Sequence, residues 1–393
     1  MTSNEIKEIK KLFSLDKCTI DRICGCYVNN EKEKQAVSKE AFLSLSEEEQ
    51  HKYFEIFKKT LTGSSGKNLI DMEFPLAEEA SGGKQESLLK LKDSGLNDDE
   101  LVDSFYDIVI DSYDTVEKFY IILIHAVYDV PGMTKDLIIN EDASDDVYDY
   151  ICCAICPVKL EKGTLTYDPG ENRITEKIRD WIVSDPSHGF LFPAFNDRRA
   201  DIHSVLYYSK KSEELQEDFI DNVLGASKPL TAGVQTDFFN TVITETLGEE
   251  ISLPDVMAIN DNVRIMLTDH SDDDEPYLMD KTEIRKVFER SGIDSDIMED
   301  YDWKYDETVR DLSDEEDERI PYVQASNLPG IKKIDIRTPD IVIKINPDRS
   351  DLIETRLIDG KECLVITVDD RVEINGMRVH TMPPGKLKSG TGG

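Results

Sequence analysis

The segment FYIILIHAVYDVP, residues 119–131, constrains the fold of this chain more than any other. It is apolar almost without interruption and ends at Pro131. A run with no polar stripe is a strand buried on both faces or a buried helix, and its β-branched and aromatic content favours the strand. YDYICCAICPVKL (148–160), GFLFPAF (189–195) and IHSVLYYS (202–209) follow, with turn residues between them. Apolar runs punctuated this way predict an antiparallel sheet. IRDWIV (178–183) fits either a helix or a strand.

Helical spacing brackets these runs. Thr2 and Glu5 make a capping box ahead of Ile6, Ile9, Leu12 and Phe13. Residues 18–28 are rich in strand formers and close on Asn29-Asn30, a hairpin signal. Ser46 and Glu49 form a second capping box before Tyr53, Phe54, Phe57 and Leu61. A short helix is expected over 85–92, and Asn97 with Glu100 opens another carrying Leu101, Phe105, Ile108 and Val109. From Ser212 the helical period returns in four stretches, with Gly225, Gly248 and Gly292 as stop signals. The resulting class is α+β: a mixed or antiparallel sheet with packed helices, a helical segment and a small β-rich C-terminal unit. The expected boundaries are an N-terminal domain at 1–230, a helical segment at 231–292, an acidic linker at 293–330, the β-rich unit at 331–382 and a flexible tail at 383–393. Trp303 and Tyr305 are the expected local anchors of the linker. Turns are expected at Pro347-Asp348, Asp359-Gly360 and Asn375-Gly376.

Charge narrows the function. There are 82 acidic against 46 basic residues, a net charge of -36. Such a field repels phosphate backbones and anionic lipid and attracts cations and basic surfaces. Direct nucleic-acid binding is therefore not expected, and a basic protein or cationic ligand is the expected partner. No apolar run reaches the length of a membrane span, and the N-terminus lacks the apolar region of a signal peptide. Seven Cys in such a chain read as reduced thiols in the cytoplasm.

Two groups of residues are candidate sites. Cys153-x-x-Cys156 has the spacing of a zinc knuckle, and Cys24-x-Cys26 places two thiols on one face of a strand. Both pairs sit in β-branched surroundings, where the leading reading is small buried hydrophobes, with metal ligation or redox chemistry as alternatives. No cofactor is expected. The second group is HGFLFPAFNDRRADIHSVLYYS, where Asn196, Asp197, Arg198, Arg199, Asp201 and His203 crowd together. On a loop joining two strands, Arg198 and Arg199 with Asn196 could clamp a phosphate or carboxylate, while His203 or Asp197 could serve in acid–base catalysis. The competing reading is a salt-bridged turn. TGSSGKN (62–68) lacks the spacing of a phosphate-binding loop, and DHSDDDEP (269–276) and LSDEEDE (312–318) lack the pattern of a calcium loop.

RICGCYV (22–28), YFEIFKKTL (53–61), GKNLIDMEFPL (66–76), FLFPAFNDRRADIHSVLYYSK (190–210) and TPDIVIKINPDRSDLIETRLIDGKECLVI (338–366) resemble segments of a bacterial family that carries only a domain-of-unknown-function label. The resemblance spans nearly the whole chain. It implies a cytoplasmic bacterial protein and brings no activity, so no catalytic residue carries over from it. The leading functional reading is a non-enzymatic interaction protein that docks a basic or cationic partner. The alternatives are an enzyme acting on a small anionic substrate through the 196–203 loop, and a nucleoid- or nucleic-acid-associated protein using the near-neutral C-terminal unit.

Overall fold

All the apolar runs enter one eight-stranded antiparallel sheet in the computed structural model, which describes every residue except 134–138, 177–178, 213–214, 229, 249–250, 271–275, 313–321, 332, 369–371, 375–376 and 380–393. The chain divides into two units, Met1–Gln235 with Asp272–Tyr277, and Thr236–Ser271 with Leu278–Gly393. The first unit runs α1 (Ser3–Leu12), β1 (Ile20–Val28), β2 (Lys34–Ala41), α2 (Glu47–Thr60), β3 (Leu69–Glu73), α3 (Lys84–Asp93), α4 (Asp99–Ser112), β4 (Lys118–Met133) and β5 (Ile139–Leu160). It continues with β6 (Leu165–Asp168), β7 (Arg173–Glu176), β8 (Trp181–Val183), β9 (His188–Phe192), β10 (Ala194–Asn196), β11 (Arg199–Asp201), β12 (Ser204–Ser209) and a helical turn, α5 (Glu217–Phe219). The sheet order is β2-β1-β4-β5-β9-β12-β3, with β8 beside the end of β5.

The side-chain period of two explains why β4 reads as unbroken apolar sequence. Ile121 and Leu123 enter one core with Leu88, Leu91, Val102, Phe105, Val109 and Phe219, from α3, α4 and α5. Ile122, Ile124 and Ala126 enter the other with Ile6, Ile9, Leu12, Phe54 and Phe57, from α1 and α2. Helices thus cover both faces of the sheet, and each buried Phe or Ile contributes roughly 1.5–3 kcal/mol.

Local signals set most boundaries. Thr2 and Ser46 both form the expected capping boxes. Asp98, not Asn97, caps α4, because its carboxylate accepts from the backbone amides of Glu100 and Leu101. β1 begins at Ile20, so Cys18 lies outside it. Within IRDWIV, Trp181–Val183 forms the strand β8. GFLFPAF is interrupted at Pro193, which has no N–H to continue a ladder, so β9 pairs with β12 and β10 instead folds back onto β11. The stretch 196–203 is therefore the turn and second strand of a small hairpin, not one connecting loop.

The second unit contains most of α6 (Ala232–Leu247), α7 (Leu253–Asp269), the short pair β13 (Leu278–Met279) and β14 (Val323–Gln324), α8 (Lys281–Arg290) and α9 (Tyr301–Leu312). Its core includes Phe238, Val242, Ile259, Val263, Val287 and Phe288. The expected linker at 293–330 contains α9, because Tyr301 and Tyr305 lie one helical turn apart and are both buried. Phe288 meets Tyr301 edge-on, and the Tyr301 hydroxyl donates to the Lys281 carbonyl at 2.8 Å. Trp303, the other expected anchor, is exposed.

The C-terminal region is β-rich but forms three separate hairpins, not one sheet: β15 (Ile334–Arg337) with β16 (Val342–Ile345), β17 (Ile353–Ile358) with β18 (Lys361–Ile366), and β19 (Val372–Ile374) with β20 (Met377–Val379). Local turn chemistry explains this, since Asp359 and Gly360 both take positive φ and so favour a tight two-residue turn, which specifies a hairpin and no more. The Asn375-Gly376 turn, the tail 383–393 and most of both carboxylate-rich runs lie outside the described residues.

Candidate functional site

Asp197 and Arg198 are the two turn residues of the β10–β11 hairpin, with φ of 51° and 56°. Left-handed backbone suits Asp and costs an Arg about 1 kcal/mol or more. Arg198 offsets that cost with several contacts. Its backbone N–H donates to Glu5 Oε1 at 3.1 Å. Its guanidinium grips the Glu8 carboxylate through Nε at 3.0 Å and through a terminal nitrogen at 2.8 Å, and donates to the Pro131 carbonyl at 3.0 Å. The Tyr128 hydroxyl donates to Glu8 as well, at 2.9 Å. Burial alone would raise the Glu8 pKa, but the Arg198 and Tyr128 hydrogen bonds outweigh it and hold the carboxyl below its ordinary range. The carboxylate that Arg198 clamps is the chain's own Glu8.

The neighbouring residues engage separate partners within the chain. Arg199 is exposed and reaches only Asp146, at 3.8 Å. Asn196 donates across the hairpin to Asp201 at 2.8 Å. His203 pairs through Nδ1 with Glu79 at 2.7 Å, and this contact raises its pKa, which weakens it as a base near neutral pH. The set thus forms a pinned turn, with Arg198 in the pin.

The cysteines separate as well. Cys24, Cys26 and Cys153 lie in the core under α3 and α4, while Cys152 and Cys156 lie in the opposite core under α1 and α2. Three residues apart on a strand, Cys153 and Cys156 point to opposite faces and cannot act as a knuckle. Burial pushes the Cys24 and Cys26 thiols up to about 11 and that of Cys153 well above its ordinary value, the opposite of what a thiolate ligand or nucleophile needs. Among the described residues no group of three or more His, Cys, Asp or Glu has an arrangement able to hold a metal ion.

A charged cluster that sequence reasoning missed lies within the long strand run. His125 is buried, and both ring nitrogens are engaged: Nδ1 meets Asp21 at 2.8 Å and Nε2 meets Asp149 at 2.7 Å. Lys92 from α3 reaches the second oxygen of Asp149 at 2.8 Å and also pairs with Asp93. Burial alone would depress the His125 pKa, but the two carboxylates reverse this and raise it to about 9. With both nitrogens committed, His125 is held as an imidazolium and has no free nitrogen for proton transfer to a substrate.

The stretch around α4 is strongly acidic. Residues 98–117 hold eight acids and no base, and all eight are exposed. Lys34 pairs with Asp103 and Asp107, and Lys39 with Asp99, yet those three carboxylate side chains remain 60%, 62% and 84% exposed respectively.

No helix among the described residues is long and apolar enough to cross a membrane. A search of curated proteins finds no match. The model of the family described as a domain of unknown function, DUF4317, matches residues 1–377 of the 393, and the chain therefore belongs to that family.

Proposed function

We propose that this is a cytoplasmic, non-catalytic interaction protein whose acidic surface docks a basic or cationic partner. The observation that carries this reading is the composition of α4. Acids in its first turn, Asp99 and Glu100, favour the positive end of the helix dipole and need no further explanation. Asp111 lies at the opposite end, where the dipole disfavours an anion, and the last turn carries no base. Beyond the pairs with Lys34 and Lys39 and the first-turn acids, the carboxylates here add no support to the helix, and they present a row of negative charge outward. Arg198 supports the non-catalytic part, since the residue best suited to hold an anionic substrate is already bound to Glu8.

Retention of native-lysate proteins at two salt concentrations tests the reading. Basic proteins should be retained at about 0.05 M salt and released at about 0.5 M, where the screening length is a few ångströms. Retention of acidic proteins only, or retention indifferent to salt, would contradict it.

A further inference from the structure

The ends of α1 and α2 come together through Phe13 and Phe57, whose ring centres lie 5.7 Å apart. The Lys10 ammonium crosses from α1 to the Thr62 hydroxyl, just past the end of α2, and donates to it at 2.7 Å. That hydroxyl donates in turn to the Lys58 carbonyl at 2.5 Å. The loop that follows is pinned, since the Asn68 side chain donates to the carbonyls of Ser209 and Lys210, both at 3.1 Å. The three segments joined by these contacts, 9–15, 56–70 and 202–212, hold seven Lys and no Asp or Glu, in a chain with 82 acids and 46 bases. Asp185 reaches Lys59 at 2.9 Å. Lys10 and Lys58 take part in no ion pair among the described residues.

A lysine in the last turn of a helix complements the helix dipole, and that suffices for Lys10 or Lys58 taken singly. It does not account for their meeting. Burial lowers the Lys10 pKa, and the nearby Lys58 ammonium lowers it further. The two cations are thus held together against their own repulsion with no carboxylate to offset it, and an anion placed beside them relieves that repulsion.

We propose that Lys10, Lys58 and the Thr62 hydroxyl form a binding site for a small phosphate-bearing anion. A lysine ammonium is a compact point charge suited to phosphate, whereas a carboxylate is better matched by the fork of an arginine. The net charge of -36 sets the size of the ligand. Repulsion grows with the partner's own charge, so a nucleic acid or an anionic membrane is driven off. A small anion responds mainly to the ammoniums within a screening length of about 8 Å. The site lies on the opposite face of the sheet from α4 and stands whether or not α4 docks a partner.

Thermal melting of the full chain with inorganic pyrophosphate tests it, at an ionic strength held constant with chloride. About 10 mM pyrophosphate should raise the melting temperature of the parent chain. It should do the same for Lys361→Gln, a control that removes one exposed positive charge elsewhere. Lys10→Gln and Lys58→Gln should each lose most of that rise. Without pyrophosphate both should melt no lower than the parent chain, because each relieves the repulsion within the pair. A lower melting temperature in both, with the pyrophosphate-dependent rise intact, would show that the lysines serve only their helix ends and would overturn the site. An equal rise in all four chains, or no rise in the parent, would overturn it as well. Binding of nucleic acid or anionic phospholipid vesicles through Lys10 and Lys58, with pyrophosphate without effect, would overturn the small ligand.

Discussion

The node at His125 and the outer face of α4 are both built from carboxylates, yet their charges are handled in opposite ways. At the node, Asp21, Asp93 and Asp149 face His125 and Lys92, whose side chains are only 8% and 11% exposed. Charge withdrawn from water must be matched on the spot, because an unpaired buried ion costs several kcal/mol. On α4 the carboxylates remain in water, where like charges are screened and cost little. Matched charge holds strands and helix together, and unmatched charge is left over for something outside the chain. In a protein at -36, the excess of 82 acids over 46 bases is of the second kind.

Substitution should separate the two kinds sharply. The largest effect is expected at the node: His125→Gln leaves Asp21 and Asp149 facing a neutral amide and should cost on the order of 3 kcal/mol, read as a lowered denaturation midpoint. Binding of a basic partner should not change in that variant. If His125→Gln melts like the parent chain, the node is not holding the sheet.

The pH dependence of melting sharpens the same point. The folded-state pKa of His125, about 9, lies above its ordinary value of 6.5. Its stabilisation is therefore fully present below the ordinary value and is lost as pH rises through the folded one. For Asp149 burial would raise the pKa, but His125 and Lys92 outweigh it and the value falls, so its share is present above the ordinary carboxylate range and is lost as pH falls through the lowered value. The parent chain should lose stability between roughly pH 7 and pH 10. Subtracting the profile of His125→Gln should remove most of that loss.

Arg198 lies between the extremes, largely buried and paired with Glu8. Arg198→Gln strands Glu8 and releases the hairpin from α1, and should cost about 1–2 kcal/mol. Arg199→Gln, next to it, should change stability by no more than about 0.5 kcal/mol. Equal effects at the two positions would show that the Glu8 grip contributes nothing particular.

How far these features were legible in sequence depended on the distance to their partners. The sheet was readable because each apolar run announces its own burial, and α1 and α2 because Thr2 and Ser46 meet their capping glutamates three residues on. The helix α9 was obscured because its charged residues suggested a linker, while Tyr301 and Tyr305, one turn apart, carried the packing. The crowding of residues at 196–203 was visible, but its meaning was not: Glu8 lies 190 positions from Arg198. His125 was hidden for the same reason, with Asp21 lying 104 positions away and the histidine embedded in an apolar strand. Non-local charge pairing leaves no local pattern, whereas the acid row of α4, being local, could be counted from the sequence alone.

The most direct test concerns that row. Changing Asp103, Asp107, Asp111 and Asp114 together to Asn spares the first-turn acids that support the helix and removes charge from its later turns and from the segment just past its end. Stability should shift by less than about 1 kcal/mol, since each site is exposed. Proteins retained from native lysate at low salt should be compared between this variant and the parent chain. Loss of the basic proteins from the variant, at an unchanged melting temperature, is the expected result. Retention of the same proteins by both chains would contradict the claim that the outer face of α4 receives the partner.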